Sequence, residues 1–312
     1  MTQTNAGKRR RLAAVPGSRT FLPVTEITGM EPGLAFLITA GIHGGEYPAM
    51  AASMELAEAL TPEDIAGRMT IIHASNPGAF WARRPERNDE DGKNLNREFP
   101  GDPEGTYTER LAYFLMENFI RRADFYADCH SGDIHEDLCP HVYYSRACRE
   151  DVSRRSRELA LCADVPYMVP STAGGGAYNS AAAAGIPAIL IEHGGNGLCR
   201  EEDVSAFRRD LVRLLRHTGV LRGGRLRAEP MKETPREVRR VHYVMAEEDS
   251  CWRTALRQGD FVRRGDILGH TTDLFGEPGA VFRAEEDGVI LYINTSLALL
   301  QGNPAAAYAV TE

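Results

Sequence analysis

The stretch Ala40-Gly41-Ile42-His43-Gly44-Gly45-Glu46 sets an imidazole and a carboxylate three residues apart, between an apolar run, Leu34 to Thr39, and a helical pattern that starts at Pro48. At a strand-to-helix turn both side chains can aim at one point, which is the spacing of metal ligands. Zinc in hydrolytic sites takes two His and one carboxylate and keeps a fourth position for water, so a second His is needed elsewhere. Ala123-Asp124-Phe125-Tyr126-Ala127-Asp128-Cys129-His130 supplies it, as a strand pattern that ends at His130 before a turn at Gly132. Strand side chains alternate, so Asp128 and His130 share a face and Cys129 opposes them. His130 is the third ligand, and Asp128 can accept a hydrogen bond from a ligand imidazole. Both clusters end a predicted strand at its C-terminal edge, where open α/β sheets place their sites.

Other residues compete for attention. His135, Cys139 and His141 are ligand types close in sequence, but no fourth partner lies nearby. The run Ser171-Thr172-Ala173-Gly174-Gly175-Gly176-Ala177-Tyr178-Asn179 lacks the Gly-Lys-Ser/Thr that a phosphate cradle needs. It reads as a wall of the substrate pocket, with Tyr178 a candidate for substrate or oxyanion contact and plain burial as the alternative.

Those residues need a scaffold. From Leu34 to Leu221, short β-rich runs alternate with longer helical patterns, the signature of an α/β layered domain. Strands are predicted at 34 to 40, 69 to 74, 123 to 129 and 187 to 192, and helices at 48 to 60, 105 to 121, 148 to 163 and 202 to 218. Asn179-Ser180, before an alanine run closed by Gly185 and Pro187, predicts a short capped helix. Near Gly223-Gly224 the helical periods stop. Gly259-Asp260 and Gly265-Asp266, each followed by apolar residues, predict a compact all-β sandwich or barrel. The expected domains are therefore 1-225 and 226-312.

With 312 residues, 43% hydrophobic, the chain can bury a large core. Its net charge of -8, from 44 acidic against 36 basic side chains, offers no basic surface for nucleic acid or anionic lipid. Lys8-Arg9-Arg10-Arg11 is not followed by the apolar region of a signal peptide, and no run is long enough to span a membrane. A cytoplasmic protein is expected, and six scattered cysteines without Cys-x-x-Cys pairs fit reduced thiols.

Asn76-Pro77-Gly78 and Asn94-Leu95-Asn96-Arg97-Glu98-Phe99-Pro100-Gly101 complete an ordered signature: His-Gly-x-Glu, Asn-Pro, Asn-Arg-x-Phe-Pro-Gly, Asp-x-His, and a Glu closing a late strand. In this order the motifs resemble the zinc carboxypeptidase clan, and within it the succinylglutamate desuccinylase and aspartoacylase group. The resemblance covers most of residues 30 to 220. It implies a zinc-carboxypeptidase-like α/β/α layered domain with a mixed sheet, and a small C-terminal barrel-sandwich domain similar to biotinyl and lipoyl carriers. No lysine follows Lys232, so a carrier role does not fit. Covering the site's mouth or making a homo-oligomer contact stays open.

The resemblance further implies one zinc ion per chain on His43, Glu46 and His130, with Asn96 and Arg97 holding a substrate carboxylate. A planar guanidinium suits that task, because it can make two parallel hydrogen bonds. Family members carry another arginine upstream; Arg83, Arg84 and Arg87 are the candidates, with Arg84 and Arg87 preferred. Glu192, at the end of Ala188-Ile189-Leu190-Ile191-Glu192, matches the family's general base, and a carboxylate at the end of an apolar strand is costly without a task or a partner. His193 stands where a small or apolar residue is expected. The expected function is a zinc-dependent deacylase that cleaves the amide of a small N-acylated amino acid by metal-activated water. The rivals are a metallocarboxypeptidase acting on short peptides and a non-catalytic small-molecule binding protein on the same fold.

Overall fold

The computed structural model describes residues 6-88 and 90-311. In chain order, β1 (Gly7–Ala14) and β2 (Phe21–Thr28) form an antiparallel hairpin. There follow β3 (Glu31–Ala40), α1 (Tyr47–Ala59), β4 (Ala66–Ile72), α2 (Pro77–Ala82), α3 (Tyr107–Asn118), β5 (Phe125–His130), β6 (Glu136–Leu138) and β7 (His141–Ser145). Then come α4 (Glu150–Ala160), β8 (Tyr167–Ser171), α5 (Ala177–Ala183), β9 (Ala188–Glu192), α6 (Glu201–His217) and β10 (Arg236–Glu237). One nine-stranded mixed sheet runs β1-β2-β4-β3-β5-β9-β7-β8-β10. Its centre, β4-β3-β5-β9, is parallel, and β7 lies antiparallel to β9.

Strand alternation divides the side chains between two cores. Ala127, Cys129, Ile189, Ile191 and Val142 pack with α1, α4 and α6. Leu37, Tyr126 and Leu190 pack with α3 and α5 on the other face. His130 and Glu192 share the second parity and sit in register at the ends of β5 and β9. Helix ends carry the expected signals. Thr106 and Glu109 form a reciprocal cap on α3, while α6 opens on Glu201, Glu202 and Asp203 and closes on Arg216 and His217, matching its dipole.

The C-terminal strands are β11 (Arg240–Met245), β12 (Ser250–Arg253), β13 (Phe261–Val262), β14 (Ile267–Thr272), β15 (Pro278–Arg283), β16 (Gly288–Asn294), β17 (Ala298–Leu299) and β18 (Pro304–Val310). They make two antiparallel sheets, β11-β18-β16-β13 and β15-β14-β12-β17, around Trp252, Leu268, Ile290, Ile293 and Tyr308. The Gly-Asp repeat has a structural cause: the Asp260 and Asp266 carboxylates accept the amides of Arg257 and Arg263, each at 2.8 Å, and so close two equivalent turns. The two parts exchange strands. β10 joins the large sheet beside β8, and β6 joins the small one beside β16.

All four predicted strands and all four longer predicted helices are present, with ends shifted by a few residues. The hairpin β1-β2, the strands β7 and β8, and the short helix α2 were not foreseen. One expectation is corrected: α5 begins at Ala177, before Asn179-Ser180, and its N-cap is Gly176. The helix is capped from afar, since Asn96 Oδ1 accepts the Ala177 amide at 3.0 Å. A cap 81 positions away in sequence leaves no local signal. The six cysteines are free, and no described helix is long and apolar enough to cross a membrane.

Candidate metal and catalytic site

His43 lies in the turn after β3, Glu46 is the N-cap residue of α1, and His130 is the last residue of β5. Among the described residues they form the one group of three His, Cys, Asp or Glu able to hold a metal, with donor atoms all within 4.8 Å of one another. The Glu46 carboxylate does not cap its own helix. It turns instead to the imidazoles, with Oε1 2.6 Å from His43 Nδ1 and Oε2 2.9 Å from His130 Nδ1. The glycines between His43 and Glu46 let the loop fit. A Cβ on Gly44 would meet the Ala79 carbonyl carbon at 2.4 Å, and one on Gly45 would meet Asp133 Oδ1 at 2.0 Å.

His43 is oriented through its other nitrogen, and a carboxylate stands beside that of His130. His43 Nε2 faces Asn94 Oδ1 at 3.1 Å, and His130 Nε2 faces Asp128 Oδ2 at 3.2 Å. Asp128 is in turn held by the Thr39 hydroxyl at 2.7 Å. A proton on each Nε2 leaves both Nδ1 lone pairs directed at the Glu46 oxygens. Facing lone pairs repel unless a cation or proton lies between them, and Glu46 Oε2, fully enclosed, has no hydrogen-bond partner. The donors present therefore fit a divalent cation. Burial pushes the Glu46 carboxyl up, but His130 and His43 outweigh it and hold the group at about 2. Burial likewise opposes charge on His130, and the carboxylates of Glu46 and Asp128 overcome that and raise its pKa well above the ordinary value.

Glu192 is the neighbour of His130 across the β5-β9 register, with His141 on its other side. Its Oε2 is enclosed without a partner. Burial lifts its pKa well above the carboxylate range; His130 opposes this, and Glu46 and Glu136 add to it. Next in the chain, His193 points the opposite way, with Nε2 2.8 Å from Asp210 Oδ2 on α6 and its ring edge-on to Phe207. Asn96 is buried, spends Oδ1 on α5, and has no hydrogen bond on its Nδ2 among the described residues. Arg97 is exposed and pairs with no acidic side chain among the described residues.

The descriptive model of the succinylglutamate desuccinylase/aspartoacylase catalytic domain matches residues 32–218. The chain belongs to this family. It is 30% identical over 275 residues to an N-alpha-acetyl-L-2,4-diaminobutyric acid deacetylase of Halomonas elongata, covering 86% of this chain and 80% of that one. Its fold is similar to a product-bound structure of the ectoine utilization protein EutE (DoeB) from Ruegeria pomeroyi, with TM-score 0.89, 27% identity and coverage of 100% and 97%. A succinylglutamate desuccinylase/aspartoacylase from Rhodobacter sphaeroides superposes with TM-score 0.87 at 25% identity, covering 100% and 98%.

Within this desuccinylase/aspartoacylase chain the other candidates are placed as follows. Tyr178 is buried on α5, its ring 6.4 Å from that of Tyr143, and burial raises its hydroxyl to about 12. Arg83, Arg84 and Arg87 are exposed in the segment after α2 that bonds the His43–Glu46 loop through the Gly44 amide and Pro85 carbonyl at 2.9 Å. Arg83 ends α2 in a left-handed conformation, and Arg87 reaches the Gly92 carbonyl at 3.3 Å. The rival cluster does not assemble: His135 is exposed, and His141 turns Nδ1 to the Cys139 carbonyl at 2.7 Å. Sequence reasoning missed Asn94, Asp133 and Glu136. Asp133 is buried with Oδ2 unpartnered, and burial, followed by the charge of Glu46, lifts it to about 7. Asn94 had a usable signal, because it stands two residues before Asn96 in the same turn. The two acids depend on loop closure and had none.

A cavity of about 750 Å³ lies elsewhere, between the β1-β2 hairpin and α1, and includes none of these residues. His73 borders it, satisfied on both ring nitrogens by Ser53 and Thr25 at 2.8 Å.

Proposed function

We propose that the protein is a zinc-dependent amidohydrolase that removes the acyl group from a small N-acylated amino acid. The observation that carries this reading is the convergence of two imidazoles and an unpartnered carboxylate oxygen beside the enclosed Glu192. Zinc held by His43, Glu46 and His130 would supply Lewis acidity and make a water molecule acidic near neutral pH. Glu192 takes the proton from the attacking water and delivers it to the leaving nitrogen. Its raised pKa suits a group that must carry that proton between the two steps. Asn96 Nδ2 and the Arg97 guanidinium grip the substrate's carboxylate, and the fork geometry fixes the scissile amide against Glu192.

The Halomonas elongata relative is named for an acetylated diamino acid. Two features of this chain support a substrate of that kind. Asp133 lies against Gly45 of the His43–Glu46 loop, and Glu136 Oε2 accepts the Asp133 amide at 3.0 Å. Acids beside the site would pair with a side-chain amine better than with a succinyl or aspartyl carboxylate. The test is zinc analysis of the purified protein, followed by hydrolysis of acetylated diamino acids, succinylated and aspartylated amino acids, and short peptides. Stoichiometric zinc and preferred cleavage of the acetylated diamino acids are expected. Zinc that cannot be restored, or preferred cleavage of peptides, would overturn the reading.

A further inference from the structure

Asn94 joins three parts of the site through one amide. Its Oδ1 faces His43 Nε2 at 3.1 Å and accepts the Asn96 backbone N–H at 2.8 Å, while its Nδ2 donates to Glu86 Oε2 at 2.8 Å. The orientation of the amide is determined by these partners. Turned over, its NH2 would meet the Asn96 N–H, a second donor, and its oxygen would meet a carboxylate. The backbone also fixes it, since Asn94 bridges Arg87 and caps the turn Leu95–Arg97. Glu86 is 42% exposed, and the Arg87 Nε lies 3.8 Å from its Oε1.

A carboxylate that accepts from one end of an amide polarises it and makes the oxygen at the other end a stronger acceptor. A stronger acceptor on Nε2–H makes the opposite ring nitrogen a better donor to a metal. We infer that Glu86, which touches no metal ligand, acts on the metal centre through Asn94, as the far end of a carboxylate-amide-imidazole relay to His43. Asn94 and Glu86 are thus positioning residues. The same amide oxygen ties His43 to the Asn96-Arg97 turn, so metal grip and substrate grip share one anchor. This inference rests on the metal-centre reading above.

The test measures zinc affinity of the full chain by competition with a chromophoric chelator, and so needs no substrate. Glu86→Gln keeps an acceptor for Asn94 Nδ2 but removes the charge. It should weaken zinc binding about tenfold, the low end for a partner of a metal ligand, because Glu86 is half exposed. Adding Asn94→Asp to that variant brings a carboxylate directly onto His43 Nε2, with the new glutamine amide donating to it. Affinity should return to within about threefold of wild type or exceed it. Wild-type affinity in Glu86→Gln, or a double variant no tighter than Glu86→Gln alone, would overturn the relay. Wild-type protein that takes up no zinc would instead overturn the metal-centre reading.

Discussion

Glu192 ends β9 and His193 follows it directly, the two face opposite sides of the sheet, and their surroundings differ in kind. On the His193 side the histidine starts a continuous chain of ion pairs. His193 meets Asp210 at 2.8 Å, Asp210 meets Arg213 at 2.7 Å, and Arg213 reaches Asp164 and the carbonyls of Glu229 and Pro230. On the Glu192 side, Glu192 Oε2, Glu46 Oε2 and Asp133 Oδ2 are all enclosed without hydrogen-bond partners. Enclosed oxygens of that sort destabilise a fold unless something else engages them. The closed network holds α6 on the sheet, and the open one contains the candidate metal ligands.

The comparison can be broken on either side. On the open side, Glu192→Gln should lower kcat by about 10² to 10⁴-fold with zinc content unchanged, because it removes the proton carrier and no ligand. Turnover near wild type would show that another group moves the proton. On the closed side, Asp210→Ala strands His193 and Arg213. It should cost about 3 to 5 kcal/mol, read as a lower urea midpoint, while the refolded protein still binds zinc. A smaller effect from Arg97→Ala should appear mainly as a higher KM, with kcat/KM falling about 10 to 100-fold, the range for losing hydrogen bonds between charged groups. An unchanged KM would remove Arg97 from the substrate's carboxylate.

The smallest effect concerns His73, a buried histidine outside the site. The Ser53 hydroxyl donates its proton to the Met50 carbonyl, so it can only accept from His73 Nδ1, and the ring is satisfied when neutral. Burial, with a smaller push from Arg10, lowers its pKa to about 4. The folded state thus binds the proton less readily than the unfolded chain. Stability from this group is complete above the unfolded value of about 6.5 and is lost as pH falls from there towards about 4. The loss should be on the order of 2 kcal/mol. Urea midpoints at neutral pH and near pH 4.5 should differ less in His73→Asn than in wild type, and equal differences would show that His73 is not the group responsible.

Much of this was legible in the chain. The His-x-x-Glu spacing and the Asp-x-His strand end are local facts, and strand alternation put His130 and Asp128 on one face and Cys129 on the other. The same alternation accounts for His193, which turns away from Glu192 towards α6. The cap of α5 was not legible, because its acceptor belongs to Asn96. Neither was the place of Asp133, whose carboxylate reaches the His43–Glu46 loop only after the chain beyond β5 folds back against Gly45.

The sequence by itself determined which residues could act and which strand ends would carry them, since ligand spacing and face parity are properties of a few consecutive residues. Only the tertiary structure decided which of those residues meet, which oxygens are left without partners, and that an amide at Asn94 links His43 to Glu86. Those outcomes depend on the register of strands far apart in the chain and on loops that close over them. Register and loop closure are set by burial of the whole core, which no short stretch encodes.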